Sequence, residues 1–161
     1  MWNKIKGKIL PYLVGILIPV GVGTLAAVLT RDSMDIYATL KTPPLAPPAI
    51  LFPIVWTALY ILMGISSATV YLGRDADPAA ASLGLRRYFV SLLFNFLWSI
   101  IFFNVRSPLA ALVTLFVLLY LIITTVISYK RISPVAAYLQ IPYILWVAFA
   151  GYLNAGIYFL N

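Results

Sequence analysis

Long apolar runs alternate with short polar or proline-containing segments along nearly the whole chain. About 20 apolar residues cross the hydrocarbon core of a bilayer as an α-helix. The breaks between runs predict five such helices, at about 9–29, 48–72, 88–105, 109–129 and 135–160. The first run exceeds the roughly 7–15 residues of a signal-peptide core, so we expect it to be retained. The pattern predicts an all-α integral membrane protein, a five-transmembrane-helix bundle forming one domain over residues 1–161.

The longest break, the loop at residues 30–47, leads into a proline-rich stretch. The segment TPPLAPPAILFPIVW, from Thr42 to Trp56, contains five of the 11 prolines in the chain. Proline cannot continue a helix and favours extended backbone. We therefore expect this loop to form a stiff lid, although a rigid connector between helices explains the same residues. Pro53 falls one turn before Trp56, where it is expected to bend the second helix.

Composition supports a lipid environment and removes several kinds of chemistry. Hydrophobic residues make up 63% of the chain and charged residues 9%, whereas soluble domains have about 25% charged residues. The net charge of +7 lies between the apolar runs, so it is expected to meet anionic lipid headgroups rather than nucleic acid. The chain has no cysteine or histidine, and we expect no metal site.

The basic residues predict how the chain is oriented. With five spans, the N-terminus and the loops after the second and fourth spans share one side of the membrane. That side carries eight basic residues and the other carries three: Lys4, Lys6, Lys8, Arg74, Arg86, Arg87, Lys130 and Arg131, against Arg31, Lys41 and Arg106. Lys and Arg are enriched in cytoplasmic loops. We expect a plasma-membrane protein with a cytoplasmic N-terminus, and with its C-terminus and proline-rich loop outside.

The residues inside the spans favour ligand binding over ion-coupled transport. No span has an ionisable Lys, Arg, Asp or Glu near its centre, and proton-coupled pumps rely on such residues. Aromatic and amide side chains remain, and they form stripes at helical spacing. These stripes contain Trp56 and Tyr60, then Asn95 and Trp98, then Trp146, Ala150 and Leu153. Ordinary helix packing explains such stripes, and so does a cavity for a large, planar, apolar ligand.

Three segments resemble one known family. They are FPIVWTALYILMG (Phe52–Gly64), LLFNFLWSIIFF (Leu92–Phe103) and IPYILWVAFAGYLNAGIYFLN (Ile141–Asn161). In order and spacing they resemble the TspO/MBR family of tryptophan-rich sensory proteins and mitochondrial translocator proteins. The resemblance implies a five-helix bundle, usually a homodimer, with a cavity beneath the first loop. It also implies binding of porphyrins such as protoporphyrin IX, and in many members of sterols and synthetic ligands.

The resemblance also implies roles for individual residues. The implied ligand-binding residues are Trp56, Tyr60, Asn95, Trp98, Trp146, Ala150 and Leu153, and the implied lid residues are Tyr37, Pro47 and Pro48. Tryptophans matching Trp56 and Trp146 are implicated in light-dependent porphyrin breakdown in some members. Ile36 and Leu45 stand where the family often has tryptophan. No basic residue follows Arg131 to complete the family's C-terminal sterol motif, so we expect no dedicated sterol motif there.

Three functions remain open at this point. The leading hypothesis is a membrane receptor or sensor that binds tetrapyrroles, with transport as an added role. The second is an enzyme that degrades protoporphyrin with light and oxygen, using Trp56 and Trp146 and no acid–base residue. The third is a transporter of sterols or porphyrins, or a scaffold for another protein. In each case protoporphyrin IX is the expected ligand, and no cofactor is required.

Overall fold

The structure is a computed structural model that describes residues 2–161, with side chains described for residue 7 and from residue 9 onward. The side chains of Lys4, Lys6 and Lys8, which count toward the predicted orientation, lie outside the described residues. The helices are α1 (Trp2–Thr30), α2 (Ile36–Thr39), α3 (Leu51–Leu72), α4 (Pro78–Ser99), α5 (Pro108–Lys130), α6 (Pro134–Leu139) and α7 (Ile141–Leu160). A π-helical turn, Ile100–Val105, continues α4.

The described part of the chain contains five helical segments long and apolar enough to cross a membrane. They are Ile9–Ser33, Leu51–Leu72, Pro78–Val105, Pro108–Lys130 and Pro134–Leu160. Helices satisfy their own backbone hydrogen bonds, which lipid cannot do. The predicted all-α membrane bundle of five spans is therefore confirmed.

Two helix boundaries differ from those predicted. The third span begins at Pro78 rather than near Tyr88, because the side chain of Asp77 caps α4 by accepting a hydrogen bond from the Ala80 amide at 3.0 Å. Proline at the first helical position then needs no donor. The second span begins at Leu51 rather than Pro48. Pro53 consequently lies in the first turn, where its missing N–H breaks no helical hydrogen bond, and the reason for the predicted bend disappears.

Small residues set the closest helix contacts. Gly15 of α1 and Gly64 of α3 face each other with backbone against backbone, and a Cβ atom on Gly64 would lie 2.5 Å from the Gly15 carbonyl oxygen. Gly84 of α4 makes similar room for Tyr129 of α5. Helices in lipid associate through close packing rather than hydrophobic burial, which favours small residues at their crossings.

The fifth span is divided at Gln140, where α6 ends and α7 begins. The Gln140 side chain is buried and donates to the Ser66 hydroxyl at 3.1 Å. Ser66 in turn donates to the Ala136 carbonyl at 2.7 Å. These hydrogen bonds connect the fifth span to α3 at the point where α6 ends. The polar groups there bond to one another, which lipid could not do for them.

Candidate functional site: an aromatic cavity beneath the proline-rich loop

A cavity of about 240 Å³ opens between α1, α3, the end of α4 and α7, under the loop that joins α1 to α3. Its walls are mostly apolar and aromatic. The lining residues are Val20, Gly23, Thr24, Ala26, Ala27, Thr30, Met34, Tyr37, Ala49, Phe52, Pro53, Trp56, Thr57, Tyr60, Trp98, Ser99, Phe102, Phe103, Ala150, Leu153, Asn154 and Ile157.

Trp56 lies at the centre of an aromatic cluster in the cavity wall. Its ring stacks on Tyr60, one helical turn further along α3, with centroids 5.5 Å apart and an interplanar angle of 26°. Trp98 of α4 lies 6.1 Å from Trp56, and Tyr143 of α7 lies 6.1 Å away on an edge. These separations fall in the range at which aromatic rings attract each other. Helices α3 and α4 thus contribute flat rings to the cavity wall, and Tyr143 of α7 contacts Trp56 outside the described lining.

Hydrogen bonds fix the orientation of Trp98 and Tyr60. The Trp98 indole N–H donates to Asn154 Oδ1 at 3.3 Å, and Asn154 Nδ2 donates to the Pro108 carbonyl at 2.6 Å. The Tyr60 hydroxyl donates to Asn95 Oδ1 at 2.9 Å. All four of the side chains are buried. Paired in this way, they keep their orientation without the cost of an unsatisfied polar group.

The lining suits a ligand that is flat and largely apolar. Its polar groups are hydroxyls, two indole N–H groups and one amide, and none of the described lining residues carries a formal charge. A cavity of this kind binds by shape and dispersion and by a few directed hydrogen bonds. The described lining contains no His, Lys, Asp or Glu, the side chains that most often act as general acid or base near neutral pH.

Tyr37 holds the loop over the cavity. Its ring lines the cavity and meets the ring of Phe52 edge-on at 5.3 Å. Its hydroxyl donates to the Pro47 carbonyl at 3.3 Å. Burial raises the pKa of the Tyr37 hydroxyl above its ordinary value, so the group stays a neutral donor.

The far side of the loop is attached to α7. The Lys41 amide donates to Asn161 Oδ1 at 2.9 Å, and Asn161 Nδ2 donates back to the Lys41 carbonyl at 3.0 Å. The Tyr152 hydroxyl donates to the Pro44 carbonyl at 2.7 Å. Pro43 is buried against Gly156, where a Cβ atom would lie 2.5 Å from the proline ring. The loop therefore covers the cavity and is attached to α7 along one edge.

Most of the residues singled out from the sequence meet at this cavity, and four do not line it. Trp56, Tyr60, Trp98, Ala150, Leu153 and the lid residue Tyr37 are in the described lining. Asn95 lies behind Tyr60, as its hydrogen-bond acceptor. The Pro47 carbonyl accepts a hydrogen bond from the Tyr37 hydroxyl. Pro48 is exposed, and its carbonyl accepts from the Leu51 amide at the start of α3.

Trp146 is the fourth predicted site residue outside the lining. Phe52 lies between it and the cavity, with ring centroids 5.9 Å apart in an edge-on arrangement. Within the described residues, the buried Trp146 indole nitrogen has no hydrogen-bond partner. Helical spacing gave the correct face of α7, but it could not anticipate that an aromatic ring from α3 would occupy the space in front of Trp146.

Two parts of the cavity were not predicted from the sequence. The first is the wall formed by α1, where Gly23 lies directly against the Tyr60 ring. The sequence signal for such close approach is the number of small residues in this segment, namely Gly21, Gly23, Thr24, Ala26 and Ala27. The second is the π-helical turn Ile100–Val105, which carries Phe103 into the cavity beside Phe102. Nothing in the residue pattern distinguishes that turn from ordinary helix.

A comparison with known protein families identifies this arrangement. The model of the TspO/MBR family matches residues 15–160, which include every described residue of the cavity lining. The chain belongs to the TspO/MBR family. The resemblance carried by the three aromatic segments is thereby confirmed.

Proteins from bacteria, archaea and animals are similar to this chain in sequence. The tryptophan-rich protein TspO of Chlorobaculum tepidum is 42% identical over 125 residues, which are 78% of this chain and 78% of that protein. The tryptophan-rich protein TspO of Archaeoglobus fulgidus is 36% identical over 155 residues, 96% of this chain and 99% of that protein. The translocator protein of Bos taurus is 37% identical over 141 residues, 86% of this chain and 82% of that protein.

Proposed function

We propose that this TspO/MBR protein is a membrane receptor or sensor that binds porphyrins such as protoporphyrin IX, and other large planar apolar ligands, in the cavity beneath the first loop. The observation that carries the proposal is the wall in which Trp56, Tyr60 and Trp98 present adjacent aromatic rings. A tetrapyrrole is a flat, polarizable ring system, and it gains most from stacking on such surfaces.

The size of the cavity adds a requirement to this proposal. Pockets for drug-sized ligands have about 300–1,000 Å³, whereas this cavity has about 240 Å³. A tetrapyrrole therefore has to enlarge the cavity when it binds. The loop is the part that can move most easily, because its attachments to α7 are a few exposed hydrogen bonds and the packing of Pro43 on Gly156. Transport of the ligand across the membrane would be an added role of the same movement.

The test is a titration of protoporphyrin IX into the purified protein in lipid nanodiscs, followed by porphyrin absorbance and tryptophan fluorescence. Empty nanodiscs measure partition of the pigment into lipid. Trp56→Phe and Trp98→Phe are expected to weaken binding by about tenfold, the equivalent of one aromatic contact of roughly 1.4 kcal/mol. The matched control is Tyr120→Phe, since Tyr120 is an exposed aromatic on α5. Binding no stronger than to empty nanodiscs, or equal loss in the control, contradicts the proposal.

A second candidate is light-dependent degradation of the bound porphyrin, favoured by the position of Trp56 on the cavity wall. A tryptophan next to a photo-excited pigment is a suitable electron donor or oxidation target. The test is illumination of the porphyrin-loaded protein in air, with the absorbance spectrum followed over time. The enzyme hypothesis requires Trp56→Phe and Trp146→Phe to bind porphyrin without converting it. Conversion at the same rate by free pigment in detergent contradicts it.

We also propose that the receptor is a homodimer in the plasma membrane, with its N-terminus in the cytoplasm. The Arg131–Asp77 ion pair, 2.9 Å long, joins the loops after the second and fourth spans at one end of the bundle. Most of the basic residues lie in those loops or near that end, which favours a cytoplasmic assignment for it. Reaction of a cysteine introduced at Leu45 with a membrane-impermeant thiol reagent on intact cells tests location and orientation together. Cross-linking in native membranes tests the dimer.

A further inference from the structure

The described lining of the cavity is exposed on one side only. Every lining residue contributed by α4, the π-helical turn and α7 is buried or half-buried. A residue that lines a cavity and is also exposed lies at its mouth. The exposed lining residues belong to α1, to α3 and to the loop between them: Thr24, Ala27, Met34, Ala49, Pro53 and Thr57. The mouth of the cavity therefore extends from the loop down between α1 and α3.

The two helices move apart towards this mouth. They meet backbone to backbone at Gly15 and Gly64, where no side chain fits between them. Closer to the loop, the ring of Tyr60 lies against Gly23 and occupies the space between the helices. The separation thus grows from direct backbone contact to the width of an aromatic ring, and the exposed lining residues follow beyond that ring.

The gap beyond Tyr60 is here called the side opening, and its edges are Thr24 and Ala27 on α1 and Pro53 and Thr57 on α3. All four residues lie inside the two segments that are long and apolar enough to cross a membrane. Thr57 comes six positions after Leu51, the first residue of its span, and six positions correspond to about 9 Å of helix. The side opening therefore faces the acyl chains of the bilayer as well as the water above the loop.

The edges of the side opening suit contact with lipid. The Thr24 hydroxyl donates to the Val20 carbonyl at 2.8 Å, and the Thr57 hydroxyl donates to the Pro53 carbonyl at 2.8 Å. Each hydroxyl is thus satisfied within its own helix. Lipid cannot supply hydrogen-bond partners, and these edges require none.

An apolar cavity that is open to a bilayer does not stay empty. Lining atoms that face empty space lose their dispersion contacts, and the nearest molecules that can restore those contacts are the acyl chains beside the side opening. The lining is mostly apolar and aromatic and carries no formal charge among the described residues, so an acyl chain meets no polar barrier on entering.

We propose that the cavity takes up its ligands directly from the bilayer through the side opening, and that an acyl chain of a membrane lipid occupies it when no other ligand is bound. A flat apolar ligand dissolved in the lipid enters edge-first between α1 and α3 and displaces the chain. Entry of a porphyrin by this route rests on the proposed function, whereas occupation by an acyl chain does not.

The first test uses membrane lipid alone as the probe. Solid-state NMR in lipid vesicles, on deuterated protein with protonated tryptophan rings, detects magnetisation transfer from acyl-chain protons to the Trp56 ring in the cavity wall. A cross-peak is expected, and its absence overturns the proposal. Ala27→Phe narrows the side opening and should weaken the cross-peak several-fold. Val28→Phe should not, since Val28 is 55% exposed on α1 and lies outside the described lining.

The same measurement can be made from the other edge of the side opening, so the test does not depend on the folding of one variant. Thr57→Phe narrows the opening from α3 and should weaken the cross-peak as Ala27→Phe does. Its control is Ala58→Phe, at an exposed neighbour outside the described lining. A cross-peak of undiminished intensity in Ala27→Phe and Thr57→Phe would show that lipid reaches Trp56 by another route, which contradicts the proposal.

The second test follows the binding and release of protoporphyrin IX in nanodiscs by stopped-flow tryptophan fluorescence. A narrower route slows entry and exit by the same factor and leaves the dissociation constant unchanged. Both rates should fall several-fold in Ala27→Phe and stay unaltered in Val28→Phe. Association at the unmodified rate in Ala27→Phe and Thr57→Phe contradicts entry through the side opening. Failure of the unmodified protein to bind the pigment would contradict the proposed function instead, and the NMR test would still decide whether an acyl chain enters.

Discussion

Gly15 and Gly64 meet backbone to backbone where α1 crosses α3, and neither has room for a side chain. A Cβ on Gly15 would lie 2.7 Å from the Gly64 carbonyl oxygen, and a Cβ on Gly64 would lie 2.5 Å from the Ile16 Cα. Because the obstacles are backbone atoms, rotation of a side chain cannot relieve them. The crossing therefore holds α1 at the distance that forms one wall of the cavity.

Gly64→Ala is expected to push α1 away from α3. Overpacking of this kind costs about 1–3 kcal/mol of unfolding free energy, and thermal denaturation in detergent should show a Tm lower by several degrees. Gly151→Ala is the matched control, since a Cβ on Gly151 meets nothing within 4 Å. Equal Tm values for the two variants would contradict the tight crossing.

Gly23→Ala is expected to weaken ligand binding more than it weakens the fold. A Cβ on Gly23 would overlap the Tyr60 ring, which is held from behind by its bond to Asn95 at 2.9 Å. The ring has to move into the cavity and lose that bond. We expect binding of protoporphyrin IX to fall by about tenfold, corresponding to roughly 1.4 kcal/mol, in the nanodisc titration.

The control for this prediction is Gly21→Ala, two residues away on the same helix, where a Cβ meets nothing within 4 Å. Its affinity should equal that of the unmodified protein. If Gly21→Ala weakens binding as much as Gly23→Ala does, the effect comes from the stiffness of α1 and not from Tyr60.

The fold was predictable because it depends on a property that each segment carries by itself. A run such as that in α5 is apolar enough to span the membrane whatever its neighbours are. The start of α4 could not be predicted in this way. Two adjacent arginines, Arg86 and Arg87, are typical of a loop, but the helix capped by Asp77 includes both of them. Arg87 is accommodated there by bonds to the Thr124 carbonyl and the Ser128 hydroxyl of α5.

The cavity was predictable only in part, because its lining depends on how helices face one another. Spacing placed Trp56 and Tyr60 on one face of α3, and both line the cavity. The same reasoning placed Trp146 there, but Phe52 from another helix intervenes.

Trp98 and Asn154 are expected to act as a coupled pair. Asn154→Leu leaves the buried indole N–H of Trp98 without a partner and removes one bond to the Pro108 carbonyl, and an unpartnered buried group costs about 1–3 kcal/mol. In Trp98→Phe, Asn154 keeps its bond to Pro108. The double variant should therefore lose less stability than the sum of the two single variants, by about 0.5–3 kcal/mol. Thermal or denaturant unfolding measures all four proteins, and additivity within experimental error would show that the 3.3 Å contact contributes nothing.

Tyr152→Phe is expected to loosen the loop without unfolding the bundle. The substitution removes one hydrogen bond, to the Pro44 carbonyl at 2.7 Å, and leaves the Asn161 bonds to Lys41 in place. One bond contributes about 0.5–1.5 kcal/mol, so opening of the loop should become about two- to tenfold more frequent. Trypsin cleavage after Lys41 reports that opening in the native protein.

The control is Tyr158→Phe, a change of the same kind on the same helix at a tyrosine with no described hydrogen bond. It should leave the rate of cleavage unaltered. Ligand bound beneath the loop should slow cleavage in the unmodified protein. Faster cleavage of Tyr152→Phe together with an unchanged Tm supports a loop attached along one edge, whereas a fall in Tm that matches the faster cleavage would mean that the whole bundle is opening instead.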